Sequence, residues 1–325
     1  MSVDVPEWLD ELLRCPRCRM PLARHERVVR CERGHEYPLT DGYADLWIEP
    51  EDEEARRTAE SFGYEWTTFD ANNEEDAAFW ARHSTGLDLS GHESVTALDA
   101  GCGKGRYTRF IAAQVGRMVA LDGSIAVRAA VRNLAPLGNT AVVRADLRAA
   151  PFDPASFGFV SSIGVLHHLD DPRAGFDRLA ALVAPGGTMF VYLYSRPEGG
   201  GIRARGLAAA AALRRASVRV PHRPLRWLSI PVAAALWLTL VLPGAIGDRL
   251  RVRSLAGLPM HTYRGKPFRS LWLDTFDRLS APIEHRYVWS QLQPWFDDAG
   301  LVVRDVRDDA GFYVVAGRPA ASSAS

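Results

Sequence analysis

Residues 95–109 of this chain read VTALDAGCGKGRYTR. The run opens with four residues that suit a short buried strand, Asp99 closes it, and Gly101, Gly103 and Gly105 alternate behind it. A helical pattern begins at Tyr107. Glycines allow a positive φ and a close approach of backbone to ligand, and the first turn of a helix offers free N–H groups. The stretch therefore predicts a strand, a tight ligand-binding turn and a helix.

The spacing of the acid and the glycines distinguishes two kinds of nucleotide site. A lone G-x-G-x-x-G would point only weakly to a dinucleotide. The order D-x-G-x-G-x-G found here resembles motif I of class I S-adenosylmethionine (SAM)-dependent methyltransferases. In that family the loop lies under the methionine part of SAM. The resemblance implies cofactor contacts at Asp99, Gly101, Cys102, Gly103 and Gly105, with Cys102 a small loop residue rather than a nucleophile.

Acidic residues end the next two predicted strands as well. The second strand ends at Asp122, where a carboxylate can accept hydrogen bonds from both ribose hydroxyls, a device that NAD enzymes share. The third strand ends at Asp146, and the methyltransferase resemblance implies that this acid meets the adenine amino group. The resemblance also implies cofactor contacts at Gly123, Ser124, Leu147 and Gly164.

The fourth predicted strand runs into the string GVLHHLDDP at residues 164–172. This string is similar to that of the small-molecule branch of the family, which includes quinone-ring methyltransferases. A helix, an A-P-G-G turn and a fifth strand at 188–194 complete five motifs in order over about one hundred residues. The predicted fold is α/β, with a doubly wound, Rossmann-like class I sheet.

Charge and composition set broad limits. The 325 residues include 39 Lys and Arg against 39 Asp and Glu, so the formal net charge is zero and no global field attracts nucleic acid. The first residues, MSVDVPEWLDELL, are acidic and lack the apolar core of a signal peptide. We therefore expect a cytoplasmic protein.

Three of the four cysteines lie near the start, in the spacing C-x2-C-x12-C-x3-H. Two ligand pairs separated by a short loop can hold one tetrahedral Zn²⁺. A disulfide or buried free thiols are the alternatives, but a cytoplasmic chain disfavours disulfides and this Arg-rich loop cannot build a core by itself. His25 is a less favoured substitute for the final ligand. The predicted ligands are Cys15, Cys18, Cys31 and His35.

The sequence around these cysteines resembles the zinc ribbon of the small activator subunits of tRNA methyltransferases. A similar ribbon precedes the methyltransferase domain of bacterial 23S rRNA guanine-N1 methyltransferases. Four protein ligands leave no open coordination position, so the predicted zinc site is structural. The ribbon then either steadies the fold or forms part of the substrate entrance.

An acidic linker at 49–54 leads into an F-G-x-x-W-x-x-F pattern at 62–69. Four aromatic residues in eight, placed just before the glycine loop, predict a flap over the SAM or acceptor pocket. Core packing of an N-terminal helix explains the pattern equally well. A short helix is expected over residues 77–83.

The chain leaves the standard fold after the fifth strand, and the last helix and strands return only at 288–317. No acidic residue lies between 199 and 247, where seven arginines precede an apolar stretch at 228–246. That stretch is long enough to cross a membrane, but a single crossing would separate strands of one sheet, and Pro231 and Pro243 should shorten the helix. A buried lid over the acceptor pocket and a monotopic element attracted to anionic lipid are the main alternatives.

These observations predict six regions: a zinc ribbon at 1–48, a linker and flap at 49–93, a SAM-binding core at 94–195, an insertion at 196–283, the last core elements at 284–319 and a disordered tail at 320–325. Methyl transfer requires alignment and exclusion of water, and a base helps when the acceptor is a hydroxyl or an acidic carbon. Candidate bases are His167, His168 and His285, with Tyr263 weaker.

The preferred function is methylation at O or C of a small, hydrophobic or lipid-linked acceptor. Support comes from the GVLHHL string, the apolar insertion and the zero net charge. An rRNA base methyltransferase is the enzymatic alternative, favoured by the zinc ribbon and the arginines, although no Asn-Pro-Pro-Tyr-like motif follows the fourth strand. A SAM-binding interaction module without turnover is the non-enzymatic alternative. The sequence leaves the oligomeric state open.

Overall fold

The computed structural model describes residues 4–70, 75–197, 202–309 and 311–321. The chain divides into two compact units, which we call the sheet unit, Met1–Arg196 with Ile283–Ser325, and the insertion unit, Pro197–Pro282. The insertion unit has nearly the range that the sequence suggests for the insertion. Most of the tail expected to be disordered, and the first residues of the acid-free stretch, lie outside the described residues.

The strands of the described chain all belong to the sheet unit. They are β1 Ala23–His25, β2 Val28–Arg30, β3 Glu36–Thr40, β4 Tyr43–Asp45, β5 Thr96–Ala100, β6 Arg117–Asp122, β7 Thr140–Arg144, β8 Phe157–Ile163, β9 Val183–Tyr194, β10 Val302–Asp308 and β11 Gly311–Gly317. Their order in the sheet is β1-β2-β3-β4-β7-β6-β5-β8-β9-β11-β10. Strands β4 to β9 pair in parallel, whereas β11 is antiparallel to β9 and β10 antiparallel to β11. The predicted Rossmann-like class I sheet is confirmed.

The helices of the described chain are α1 Glu53–Thr68, α2 Glu75–His83, α3 Thr108–Ala112, α4 Val127–Leu134, α5 Pro172–Leu182, α6 Ile202–Ser217, α7 His222–Leu236, α8 Leu242–Leu250, α9 Arg253–Ala256, α10 Phe268–Ser280 and α11 Trp289–Asp298. Helices α6 to α10 form the insertion unit. The central strands are buried on both faces, as parallel strands covered by helices must be, so their sequences are almost continuously apolar.

The ribbon strands extend the same sheet. β1, β2, β3 and β4 form an antiparallel meander, and β4 then pairs in parallel with β7, with Ala44 opposite Val143. Strands of three to five residues bury little surface by themselves, so the edge of a larger sheet gives them a core. Residues 1–48 therefore do not form a compact unit of their own.

The chain enters and leaves the insertion at one place. Ser195, just after β9, forms a parallel bridge with Tyr287, and the Arg196 amide donates to the Tyr287 carbonyl at 2.7 Å. After the insertion, β11 pairs with β9 along its whole length. Gly311 lies opposite Tyr194 at one end of this pairing and Gly317 opposite Thr188 at the other. Both ends of the insertion are thus anchored to the same edge of the sheet.

The insertion unit contains one long apolar helix. Helices α7 and α8 join through a π-helical turn, Trp237–Val241, into a continuous helix, His222–Leu250, of 29 residues. Pro231 lies inside α7 and Pro243 in the first turn of α8, so the expectation that these prolines shorten the helix is wrong. A π-turn is a common way for a helix to absorb an irregular hydrogen-bond ladder, here just before Pro243.

Candidate cofactor site and metal centre

The glycine loop takes a backbone shape that only glycine tolerates. Gly101 has a φ of +88°, and a Cβ there would lie 2.2 Å from a methyl of Val165. Gly105 has a φ of +80°, and its Cβ would lie 3.0 Å from the Leu134 side chain. The Gly101 and Cys102 amides donate to the Leu121 carbonyl, which ties the loop to the end of β6. The loop is tight, as its resemblance to motif I predicts.

Asp122 is held rigidly at the carboxyl end of β6. One carboxylate oxygen accepts the Gly103 amide at 2.8 Å, and the other accepts the amide and hydroxyl of Ser124 at 2.8 and 2.7 Å. A carboxylate has about four acceptor sites, so capacity remains for a ligand hydroxyl. Burial raises the pKa of this carboxyl, and the Ser124 and Gly103 donors oppose that shift. The predicted contact of Asp122 with both ribose hydroxyls stays a prediction, since the three donors already present leave about one acceptor site.

Asp99 lies inside β5 rather than at its end, and its side chain is buried. The Thr108 hydroxyl donates to one carboxylate oxygen at 2.6 Å and the Ser161 hydroxyl to the other at 2.9 Å. Burial raises the pKa of Asp99 to about 6, against the lowering effect of those two hydroxyls. Asp99 thus joins β5, α3 and β8 beneath the glycine loop.

We expect the variant Asp99→Asn to be more stable than the wild type above about pH 6. Between about pH 4 and pH 6 the native carboxyl holds a proton that the unfolded chain has released, so wild-type stability falls as the pH rises through that window. An amide has no charge to bury and escapes this loss. Melting temperatures of the wild type and the variant from pH 4 to pH 8 test this prediction. Asp297→Asn, at an exposed aspartate, is the control. A gain in the Asp99→Asn variant that does not change with pH would contradict the burial argument.

Asp146 is engaged in an ion pair. Its carboxylate accepts from the Arg148 amide at 2.9 Å and pairs with the Arg148 guanidinium at 2.8 Å, which also binds Asp170. The Leu147 side chain is packed in the core. Gly164 has a φ of +78° where β8 ends. The adenine contact of Asp146 stays a prediction, and it would compete with Arg148 for the same oxygens.

Helix α1 covers the glycine loop. A Cβ at Gly103 would lie 3.3 Å from the Trp66 ring, and the Lys104 ammonium donates to the Phe69 carbonyl at 3.2 Å. The Phe62 ring meets His168 edge-on, with centroids 4.9 Å apart. Aromatic residues of the predicted flap thus contact both the glycine loop and the histidine turn, which favours the flap interpretation.

Both candidate histidines after β8 are buried, in the short 3₁₀ turn Leu166–His168. The His168 Nδ1 atom lies 2.7 Å from the Ile283 carbonyl oxygen, which only accepts. Nδ1 therefore carries a proton. His168 is the candidate whose tautomer the fold fixes.

The other three candidate bases are less well suited. His167 stacks on Tyr194 with centroids 3.8 Å apart, and burial lowers its pKa well below the ordinary value, so the ring is neutral. The His285 side chain is exposed, and its amide donates to the His167 carbonyl at 2.8 Å. In the insertion unit, Tyr263 donates to the Asp274 carboxylate, and burial raises its pKa well above the usual range. Tyr263 is therefore unsuited to act as a base.

Sequence reasoning missed an aromatic cluster beside the histidine turn. Tyr192 stacks on Tyr313 with centroids 4.3 Å apart, and Tyr194 lies 5.7 Å from Tyr192. His83 of α2 contacts both stacked tyrosines, at 5.6 and 5.0 Å, and burial beside Arg106 and Arg82 lowers its pKa to about 4. The alternation FVYLY in β9, which places Phe190, Tyr192 and Tyr194 on one face, was the available signal.

The cysteines and the histidine of the ribbon converge. The ligand atoms of Cys15, Cys18, Cys31 and His35 all lie within 4.8 Å of one another. The Sγ atoms of Cys18 and Cys31 are 3.7 Å apart, and His35 Nδ1 is 3.4 Å from the Sγ atoms of Cys15 and Cys31. A tetrahedron with usual Zn–S and Zn–N bond lengths has edges of about 3.5 to 3.8 Å. The four residues fit zinc, and His25 is outside the set.

The surroundings of the cluster support a structural role. The Tyr37 hydroxyl lies 3.3 Å from Cys15 Sγ, where it can donate to a thiolate, and tight turns after Cys15 and Cys31 bring the ligand pairs together. A cavity of about 480 Å³ beside the ribbon is lined by His35, Tyr37, Trp47 and Arg144, among others. Trp47 also lies against Gly123, just after Asp122. The ribbon therefore borders the residue after Asp122, which is the predicted ribose contact.

Comparison with known proteins agrees with this geometry. The chain is 28% identical over 210 residues to an uncharacterized protein of Synechococcus sp., covering 63% of this chain and 46% of that one. It is 33% identical over 105 residues to an uncharacterized methyltransferase of Mycobacterium bovis, covering 31% and 51%. It thus spans about half the length of these relatives.

A solved structure, the 1,6-didemethyltoxoflavin-N1-methyltransferase of Burkholderia thailandensis with bound S-adenosylhomocysteine, superposes with a TM-score of 0.46 at 12% identity, over 92% of this chain and 99% of that one. Residues 98–191, from Leu98 of β5 to Val191 of β9, match the family described as methyltransferase domain. For this part of the chain, the prediction of a methyltransferase domain is confirmed.

Proposed function

We propose that this protein is a SAM-dependent methyltransferase that methylates O or C of a small, hydrophobic or lipid-linked acceptor. The match over residues 98–191 and the glycine loop tied to Asp122 support the cofactor half of this proposal. SAM supplies the methyl group on a sulfonium when it is bound. Asp122 would hold the ribose, and Gly101 and Gly103 would leave room for the methionine part.

The aromatic cluster carries the acceptor half of the proposal. Tyr192, Tyr194, Tyr313 and His83 form a nearly continuous set of ring contacts where β9 ends. Ligands of open α/β sheets bind at the carboxyl ends of the strands. Stacked rings favour a flat apolar acceptor over a highly charged one, because apolar and aromatic contacts replace water there at little cost.

Methyl transfer requires little of these residues beyond alignment of the acceptor with SAM and exclusion of water. The α1 aromatics would exclude water from the reacting atoms, and the tyrosine rings would orient the acceptor plane. Where the acceptor atom is a hydroxyl or an acidic carbon, His168 would take its proton at Nε2, since Nδ1 is committed to the Ile283 carbonyl. His167, which stacks on Tyr194, would instead form part of the wall of the acceptor pocket.

Zinc would hold the ribbon together, with no part in methyl transfer. Four protein ligands in tetrahedral spacing leave no position for substrate. Reduced thiolates of this kind suit a reducing compartment, which supports a cytoplasmic location.

Transfer of label from methyl-labelled SAM tests the proposal. Purified protein is incubated with a lysate of source cells lacking it, and the products are separated into organic, aqueous small-molecule and RNA fractions. We expect label in the organic fraction, and much less of it with the Asp122→Ala variant at the same SAM concentration. Label in RNA would overturn the acceptor class in favour of a base methyltransferase. Tight SAM binding with no label in any fraction would contradict the proposal that the protein catalyses methyl transfer.

A further inference from the structure

The outer face of the long helix His222–Leu250 is apolar, and the described residues leave it exposed. Its inner face packs on α10, where the Trp237 and Phe268 rings lie 5.8 Å apart and Trp272 donates to the Ser229 hydroxyl at 2.9 Å. The opposite face exposes large apolar side chains to between 42% and 66% of their full area. They are Trp227, Leu228, Leu238, Leu242, Ile246 and Leu250.

All of these side chains except Trp227 form one stripe together with the exposed Pro231 and Ala235. The positions 228, 231, 235, 238, 242, 246 and 250 follow one another at intervals of three or four residues, which places them on one side of a helix. Only 22% of the most apolar 18-residue window of this helix is buried. A helix that is apolar all round normally lies in a protein core or in lipid. The described residues of the insertion unit do not bury this face of the helix in a protein core.

The helix cannot cross a bilayer alone. Among the described residues, it is the one helix long and apolar enough to do so. The bridge between Ser195 and Tyr287 fixes both ends of the insertion at one point of the sheet, so a crossing would need a return crossing. Helix α10 has 13 residues, about 20 Å, against a hydrocarbon core of about 30 Å, and it carries four charged residues. A helix lying along the membrane surface satisfies both constraints.

Charge favours lipid over a second copy of the chain. The whole chain has a net charge of zero, but residues 197–282 contain 14 Arg and Lys against four Asp and Glu. Arg219 and Arg223 are exposed at one end of the helix, and Arg249, Arg251 and Arg253 at the other. Two such surfaces would repel each other, whereas an anionic lipid surface attracts them, by about 1 kcal/mol for each cation near it. Trp227 suits the headgroup region.

We propose that the insertion unit docks the protein on anionic membranes, with the outer face of His222–Leu250 in the bilayer interface and the flanking arginines against lipid phosphates. The aliphatic part of each arginine side chain can lie along apolar surface while its guanidinium group stays in water. Binding then combines buried apolar area with electrostatic attraction. The inference is independent of methyl transfer, because docking is measured without SAM or acceptor.

Flotation of the full-length, zinc-loaded protein with vesicles tests the proposal. We expect binding to phosphatidylcholine vesicles containing roughly a third phosphatidylglycerol, weaker binding to pure phosphatidylcholine, and loss of affinity as salt rises. The double variant Leu238→Asp/Leu242→Asp should bind about tenfold more weakly or worse. Because both leucines are exposed, the variant should keep the wild-type melting temperature.

Val302→Asp is the matched control. Val302 is as exposed as the two leucines but lies on β10 of the sheet unit, so vesicle binding should not change. Wild-type protein that never floats, or a double variant that floats as well as wild type, would overturn the proposal. A dimer in vesicle-free solution that the double variant abolishes, without vesicle binding by the wild type, would assign the face to a second copy instead.

Discussion

Cys18→Ala is expected to release zinc and to unfold the ribbon end of the sheet. The wild type should hold one zinc ion per chain, because four ligand atoms lie within 4.8 Å in tetrahedral spacing. Structural zinc contributes about 10 to 16 kcal/mol of apparent binding energy in small zinc domains, and most of that is folding energy. Elemental analysis and thermal melting measure both parts of the effect.

The loss should spread beyond the ribbon. β4 pairs directly with β7, whose neighbour β6 ends at Asp122. Unfolding of the ribbon would expose that edge of the sheet, so we expect weaker SAM binding along with a lower melting temperature.

The fourth cysteine supplies a control for the zinc experiment. Cys102 is buried in the glycine loop, outside the metal cluster, and burial raises the pKa of its thiol well above the usual range. Cys102→Ala should therefore keep its zinc. Retention of a full zinc equivalent by Cys18→Ala would mean that another ligand set holds the metal, with His25 the first alternative to test.

Asp122→Ala is expected to weaken SAM binding by about 1–3 kcal/mol, or about 5- to 150-fold in Kd, through lost charge-assisted hydrogen bonds to the ribose. The carboxylate also anchors the Gly103 amide at 2.8 Å, so part of the loss should come from a looser glycine loop. Isothermal titration with SAM and with S-adenosylhomocysteine should show the same loss for both, because the ribose is common to them.

Two further variants separate the two parts of that loss. Ser124→Ala removes one hydroxyl donor to Asp122 but keeps the carboxylate, so it should reduce affinity much less. Asp122→Asn keeps the shape but loses the charge and should fall between the other two. An unchanged Kd for Asp122→Ala would remove the ribose assignment.

Much of the sheet unit could be predicted from short segments. The glycine loop, the acid at the end of β6 and the four zinc ligands are each encoded by residues close in sequence, so their spacing fixes their local geometry. The range predicted for the last helix and strands, 288–317, agrees with α11, β10 and β11, which together span 289–317. Asp99 was misplaced by one position because it is polar, while its partners Thr108 and Ser161 make it an interior residue of β5.

The sequence by itself predicted the methyltransferase domain at residues 98–191, the order of its motifs and a candidate set of zinc ligands, since each depends on residue spacing within short segments. Tertiary structure alone decided that Arg148 binds Asp146, that Ile283 fixes the His168 tautomer, and that Ser195 and Tyr287 bring together the two ends of the insertion. The partners in the last two pairs are more than ninety residues apart along the chain, and packing rather than spacing chooses such partners. The pairing at Asp146 is local, but a side chain's choice between a neighbour and a ligand is likewise made by the packing around it.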